Sequence, residues 1–78
     1  MSIDEQNKLF DKWNALNQTN CSKLGATQQR AIDRLEILES LEQAGINEIR
    51  GEAIPVRFLI RNARKVLRET QALTDRLS

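Results

Sequence analysis

The sequence predicts an all-α fold, a small domain of three helices, on three observations. Strong helix formers fill most of the chain. No segment alternates apolar and polar residues with the period of two that a half-buried strand needs. Gly45, Gly51, Pro55 and the polar run "NQTNCSKLG" divide the chain into three segments, each with apolar residues at helical spacing.

The first helix is expected over about residues 3–17. Ser2 or Asp4 can cap it, and Asp4 and Glu5 place negative charge in the first turn, where the helix dipole favours it. Leu9, Phe10, Trp13 and Leu16 follow at i, i+1, i+4 and i+7, one face of a helix. The run "NQTNCSKLG" then reads as a loop. Its Asn, Thr and Ser side chains compete for backbone hydrogen bonds, and Gly25 frees the chain to turn.

The second helix is expected over about 27–44. Thr27 offers an N-cap, and Gly45 is the left-handed residue beyond the end. This register places Leu41 at C3 and Ile46 at C″, the apolar pair of a Schellman ending. Ala31, Leu35, Leu38 and Leu41 make the main stripe, with Ile32 and Ile37 on opposite flanks. An arc that wide calls for two neighbours. "INEIRGEA" leaves room for no more than a turn of helix, and Gly51 breaks it.

The third helix is expected over about 55–77, with Pro55 at its first position, where a fixed φ suits and no NH partner is needed. Val56, Leu59, Ile60, Ala63, Val66, Leu67, Thr70, Leu73 and Leu77 fall within an arc of roughly 140° at ~100° per residue. At 1.5 Å per residue the three helices span about 20, 27 and 34 Å. An antiparallel hairpin of the second and third therefore leaves Leu73 and Leu77 overhanging, in need of cover from the first helix or a second copy. The 3–4 spacing approximates a heptad seam, so a homodimer built largely on the third helix is expected, giving a helical bundle. The residues assigned to core or dimer packing are Trp13, Leu35, Leu38, Leu59, Ala63, Val66, Leu73 and Leu77.

Composition narrows the function. Residues 1–78 make one small domain, which buries only about 60–65% of its unfolded surface and gains from outside support. A single cysteine, Cys21, rules out an internal disulfide, and with no histidine there is no zinc set, so no metal or cofactor is expected. Self-association is the remaining support. No apolar run reaches the roughly 20 residues of a membrane span. "MSIDEQNKLF" has neither a basic n-region nor an apolar h-region, so a cytoplasmic location is expected. The glycosylation-type tripeptides at Asn17 and Asn20 then read as polar loop residues.

Nothing here carries catalysis. The chain lacks His, Tyr, a phosphate-cradling glycine run and a nucleophile elbow. Asp33, Glu36 and Glu39 lie on the outer face of the second helix, where a carboxylate stays solvated; the expectation is that the protein is not an enzyme. Cys21 has only Lys23 nearby to favour a thiolate and reads as an ordinary loop or semi-buried cysteine.

Charge is near balance overall but unevenly spread. Residues 26–47 carry two basic and four acidic side chains, whereas residues 48–78 carry seven basic and four acidic. Within "IPVRFLIRNARKVLRE", the span from Ile54 to Arg68 holds Arg57, Arg61, Arg64, Lys65 and Arg68 and no acid. These residues centre roughly 150° from the apolar arc. Such a stripe can be plain solvation, can pair with the acidic face of the second helix in a neighbouring protomer, or can bind an external anionic surface. Arginine's planar fork suits carboxylate and phosphate, which favours the last two. Phe58 stands on the basic side as a candidate anchor for a partner or a base, unless it packs back on Ala53 as a hydrophobic staple.

The expected function is therefore a small non-catalytic interaction protein, an adaptor, chaperone or inhibitor. It binds an acidic protein surface through Arg57, Phe58, Arg61, Arg64, Lys65 and Arg68. The alternative is a DNA- or RNA-binding regulator with the same stripe on phosphates. "INEIRGEAIPVRFLIRNARKVL" fits a helix-turn-helix only in part. Ile49, Ile60 and Ala63 fall at its buried positions, but Arg50 stands where a small residue belongs and Gly51 is misplaced.

Overall fold

Ser2 opens the chain's first helix with its own side chain. In the computed structural model, which describes residues 2–18 and 23–77, its Oγ accepts the Glu5 amide at 3.2 Å and its carbonyl accepts the Gln6 amide at 3.1 Å. The side chain thereby satisfies one of the amides that a helix start leaves orphaned, and the carbonyl accepts the first intrahelical bond. Three helices follow in order: α1 (Ile3–Gln18), α2 (Leu24–Gln43) and α3 (Val56–Leu77), with no strand among the described residues. The fold is all-α. Cys21 and the residues 19–22 around it lie outside the described residues.

α2 begins three residues before the expected start. Lys23 stands at the N-cap, and Gly25 lies inside the first turn rather than in a loop. Thr27 does not cap: its amide bonds the Lys23 carbonyl at 3.0 Å, and its hydroxyl donates to the same oxygen at 3.1 Å. A threonine whose hydroxyl reaches back one turn is compatible with a helix interior. The earlier start also draws Leu24 half out of solvent.

The end of α2 follows the expected register. Gly45 has φ +79°, the Ile46 amide reaches the Leu41 carbonyl at 2.9 Å, and the Gly45 amide reaches the Glu42 carbonyl at 3.0 Å. These are the paired bonds of a Schellman motif. The connection to α3 contains no helix. Ile49 to Glu52 form a turn closed by a 3.0 Å amide–carbonyl bond, with Gly51 at φ +89°. Positive φ at the third turn residue alone defines a type II turn, and glycine accepts it without strain. The Asn47 carbonyl then takes the first amide of α3, that of Val56, at 2.9 Å. Pro55 sits just before the helix, and its carbonyl accepts the Leu59 amide at 3.1 Å.

α2 is the shared element, packing against both α1 and α3, as its wide apolar arc requires. Leu38, Leu41 and Val56 are the largest fully buried side chains; Trp13, Ile37, Ile49, Ile60 and Ala63 complete one core. Leu9, Phe10, Leu16, Leu35 and Leu59 pack on it half-buried. Thr70, the buried polar residue of α3, donates its hydroxyl to the carbonyls of Val66 and Leu67 at 3.0 Å each, so its burial leaves no unmet donor. Beyond Thr70 every residue of α3 is exposed, including Leu73 at 47% and Leu77 at 81%. α1 does not cover them. Among the described residues, no helix is long and apolar enough to cross a membrane.

Candidate functional site

One turn of α3 after another delivers an arginine to the same flank. Arg57, Arg61, Arg64, Arg68 and then Gln71 recur at intervals of four, three, four and three, which holds them within about 40° of one line on the helix. The line runs beside the α2-facing residues Val56, Ile60, Ala63, Leu67 and Thr70, about 100° around the helix. The four arginines and Gln71 line an open groove of about 550 Å³ along α3, the arginines as its rim and Ile60 and Leu67 as apolar floor.

α2 supplies acid to this groove. Glu42 lines it, and Glu39 approaches Arg64 at 3.8 Å with both side chains more than half exposed. An exposed pair of that length contributes about 0–1 kcal/mol, so Arg64 is oriented but not consumed by it. The acidic side of α2 thus meets the arginines within one chain, whereas the sequence offered such a pairing with a neighbouring protomer as one of three readings of the stripe.

The five-cation stripe divides. Arg57, Arg61, Arg64 and Arg68 share the groove, whereas Lys65 stands exposed and outside it. Phe58 also faces away from the groove, 40% exposed. The Arg57 and Arg61 guanidinium carbons lie 5.1 and 5.7 Å from its ring centroid. Cations at that range are attracted to the ring's negative face, so Phe58 props the first two arginines of the row. Ile54, 42% exposed, lies a few residues before it.

A second cleft, of about 300 Å³, lies on the other flank of the α2-facing stripe, where α1 comes in. Ala31 and Ala63 are small residues of α2 and α3 on its wall. Trp13 is buried, its Nε1 donates to Glu52 Oε1 at 3.1 Å, and the Arg34 guanidinium lies 5.3 Å from its ring centroid. Asn17 ties the cluster, donating to Glu52 at 3.5 Å and accepting from Arg34. This polar knot fastens α1 and the connection around one indole. Trp13, Leu38 and Ala63 are buried; Leu35, Leu59 and Val66 are half-buried; Leu73 and Leu77 stand open.

The sequence reading missed Glu42 and Gln71 in the groove and Glu52 at Trp13. Gln71 carried a signal, since it continues the four–three series of the arginines. Glu52 carried none: its bond to Trp13 spans thirty-nine positions. The helix-turn-helix alignment fails on structure. Residues 46–55 form turns rather than the first helix of such a unit, and Arg50 and Gly51 occupy the type II turn. Comparison of the chain with known protein families, with curated proteins and with solved structures found no match.

Proposed function

We propose that the chain is a non-catalytic helical interaction protein, an adaptor, chaperone or inhibitor, which holds an acidic protein surface in the arginine groove of α3. The observation that carries this reading is the convergence of Arg57, Arg61, Arg64 and Arg68 on one groove with apolar floor. Guanidinium groups pair carboxylates in a fixed fork, and a rim of them gives register and association rate more than raw affinity. A net charge of only +1 falls short of the strongly basic balance usual for a nucleic-acid-binding domain and favours the protein partner.

In this reading α2 and α3 form an antiparallel hairpin. The bond from the Val56 amide to the Asn47 carbonyl, just past the end of α2, and Glu39 beside Arg64 support that direction, since positions earlier on α2 match positions later on α3. The chain acts as a homodimer in the cytoplasm, joined through the open Leu73 and Leu77 at the end of α3.

The test is a titration of labelled Glu-rich peptide against random-sequence duplex DNA over a salt series. Peptide capture is expected, and Arg61→Glu with Arg64→Glu abolishes it while far-UV circular dichroism stays unchanged. Capture retained by that variant would make the stripe a solvated face. Tight DNA binding, with log K falling against log salt at a slope approaching about −4.5, would make the protein a nucleic-acid binder. Light scattering is expected to read the mass of two chains, and a monomer at every concentration removes the dimer.

A further inference from the structure

We infer that the groove takes an acidic amphipathic helix from another chain, which docks as an additional helix of the bundle. This rests on the acidic-partner reading above and specifies the partner's shape. The residues that line the groove recur at intervals of four, three, four and three from Arg57 to Gln71. An average of 3.5 residues sets successive rim side chains about 5.3 Å apart along the axis, the advance per turn of a helix laid beside α3, whereas same-side residues of an extended chain come about 6.7 Å apart and fall out of step with the row. From Arg57 to Gln71 the row runs about 21 Å, or roughly four turns.

The cross-section fits as well. The groove lies between α2 and α3, on the flank of the α2-facing stripe opposite the α1 cleft. Trp13 of α1 reaches into one furrow of the helix pair, and the arginine groove is the other. Its floor, Ile60 and Leu67, is apolar, and its rim is cationic. The occupant therefore carries two neighbouring stripes, one of Leu-like side chains for the floor and one of Glu or Asp for the arginines.

Charge distinguishes this occupant from a second copy of the chain. The rim holds four arginines against Glu39 and Glu42, so each groove keeps a net charge of +2. Two such grooves face to face would set like charge on like charge in a partly desolvated contact. A foreign acidic helix meets no such repulsion.

Three synthetic peptides of about 18 residues test this against the full chain by fluorescence anisotropy. The first carries Glu at four–three intervals beside a Leu stripe and is stapled into a helix on its outer face. The second is stapled too and has the same residues, with the glutamates scattered around the helix. The third is the first without staple and with two central prolines. The first is expected to bind at one per chain, about tenfold or more tighter than the third, because the third cannot form the docked shape. It also outbinds the second, and Arg61→Glu with Arg64→Glu removes its advantage. Equal affinity for all three peptides overturns the helix while leaving the acidic-partner reading in place. Binding of none overturns both. An advantage that survives the double variant moves the site elsewhere. Self-association that this variant disperses makes a second copy the occupant and overturns the proposal.

Discussion

Leu38→Ala probes the core from which the groove takes its shape. Leu38 has no exposed surface and belongs to the cluster that joins Trp13 of α1, Leu41 of α2 and Ile60 of α3. The substitution removes three carbons, about 2.4 kcal/mol of transfer free energy at ~0.8 kcal/mol each. The cavity left behind raises the cost, and buried Leu→Ala changes span about 2–5 kcal/mol. A 78-residue domain holds roughly 4–12 kcal/mol in all, so the variant forfeits a large share of it. At about 4–8 °C per kcal/mol, the midpoint of thermal unfolding is expected to fall by roughly 10 °C or more. Leu73→Ala removes the same atoms from a position 47% exposed and is expected to cost less than about 1 kcal/mol. Urea unfolding read by Trp13 fluorescence and circular dichroism, at dilutions where scattering reports one chain, measures both. A lower midpoint with unchanged slope is the signature of lost stability. Equal costs at Leu38 and Leu73, or a loss under 1 kcal/mol at Leu38, would refute the packing described above.

Gly45→Ala forces a Cβ into φ +79°, and that Cβ meets no atom within 4 Å, so its cost is purely conformational. It is expected near 1 kcal/mol by urea unfolding, with Gly45→Asn milder because Asn tolerates left-handed backbone. Glu52→Ala removes the acceptor of the Trp13 indole; a shifted fluorescence maximum and a loss of about 1–2 kcal/mol are expected, with Glu52→Gln intermediate. Arg64→Ala is expected to leave the unfolding midpoint within about 0.5 kcal/mol of the parent, since its pair with Glu39 is exposed, while it weakens acidic-peptide capture. Leu73→Glu with Leu77→Glu is expected to yield monomers by light scattering and to remove any concentration dependence of the thermal midpoint.

Fluorescent reporting by Trp13 is itself a consequence of tertiary structure, for its environment comes from Glu52 and Arg34, distant in the chain. Helix existence and type were legible in the residues, because period and punctuation are local: Ser2 caps α1, Gly45 ends α2 and Pro55 precedes α3. The start of α2 was not, because Thr27 can cap a helix or bond back within one, and its residue type is the same in both cases. The arginine row was readable as a set, but Lys65 could not be separated from it on a stripe that wide.

The sequence by itself determined three amphipathic helices, their punctuation and the cationic flank of the last one. These follow from side-chain period and backbone propensity, which act over a few residues. Tertiary structure alone decided which flank of α3 becomes a groove, that Glu39 and Glu42 stand across it, and that α1 does not cover the overhanging Leu73 and Leu77. Those outcomes depend on how α1 and α3 share the apolar arc of α2, a matter of shape and burial between segments far apart in the chain.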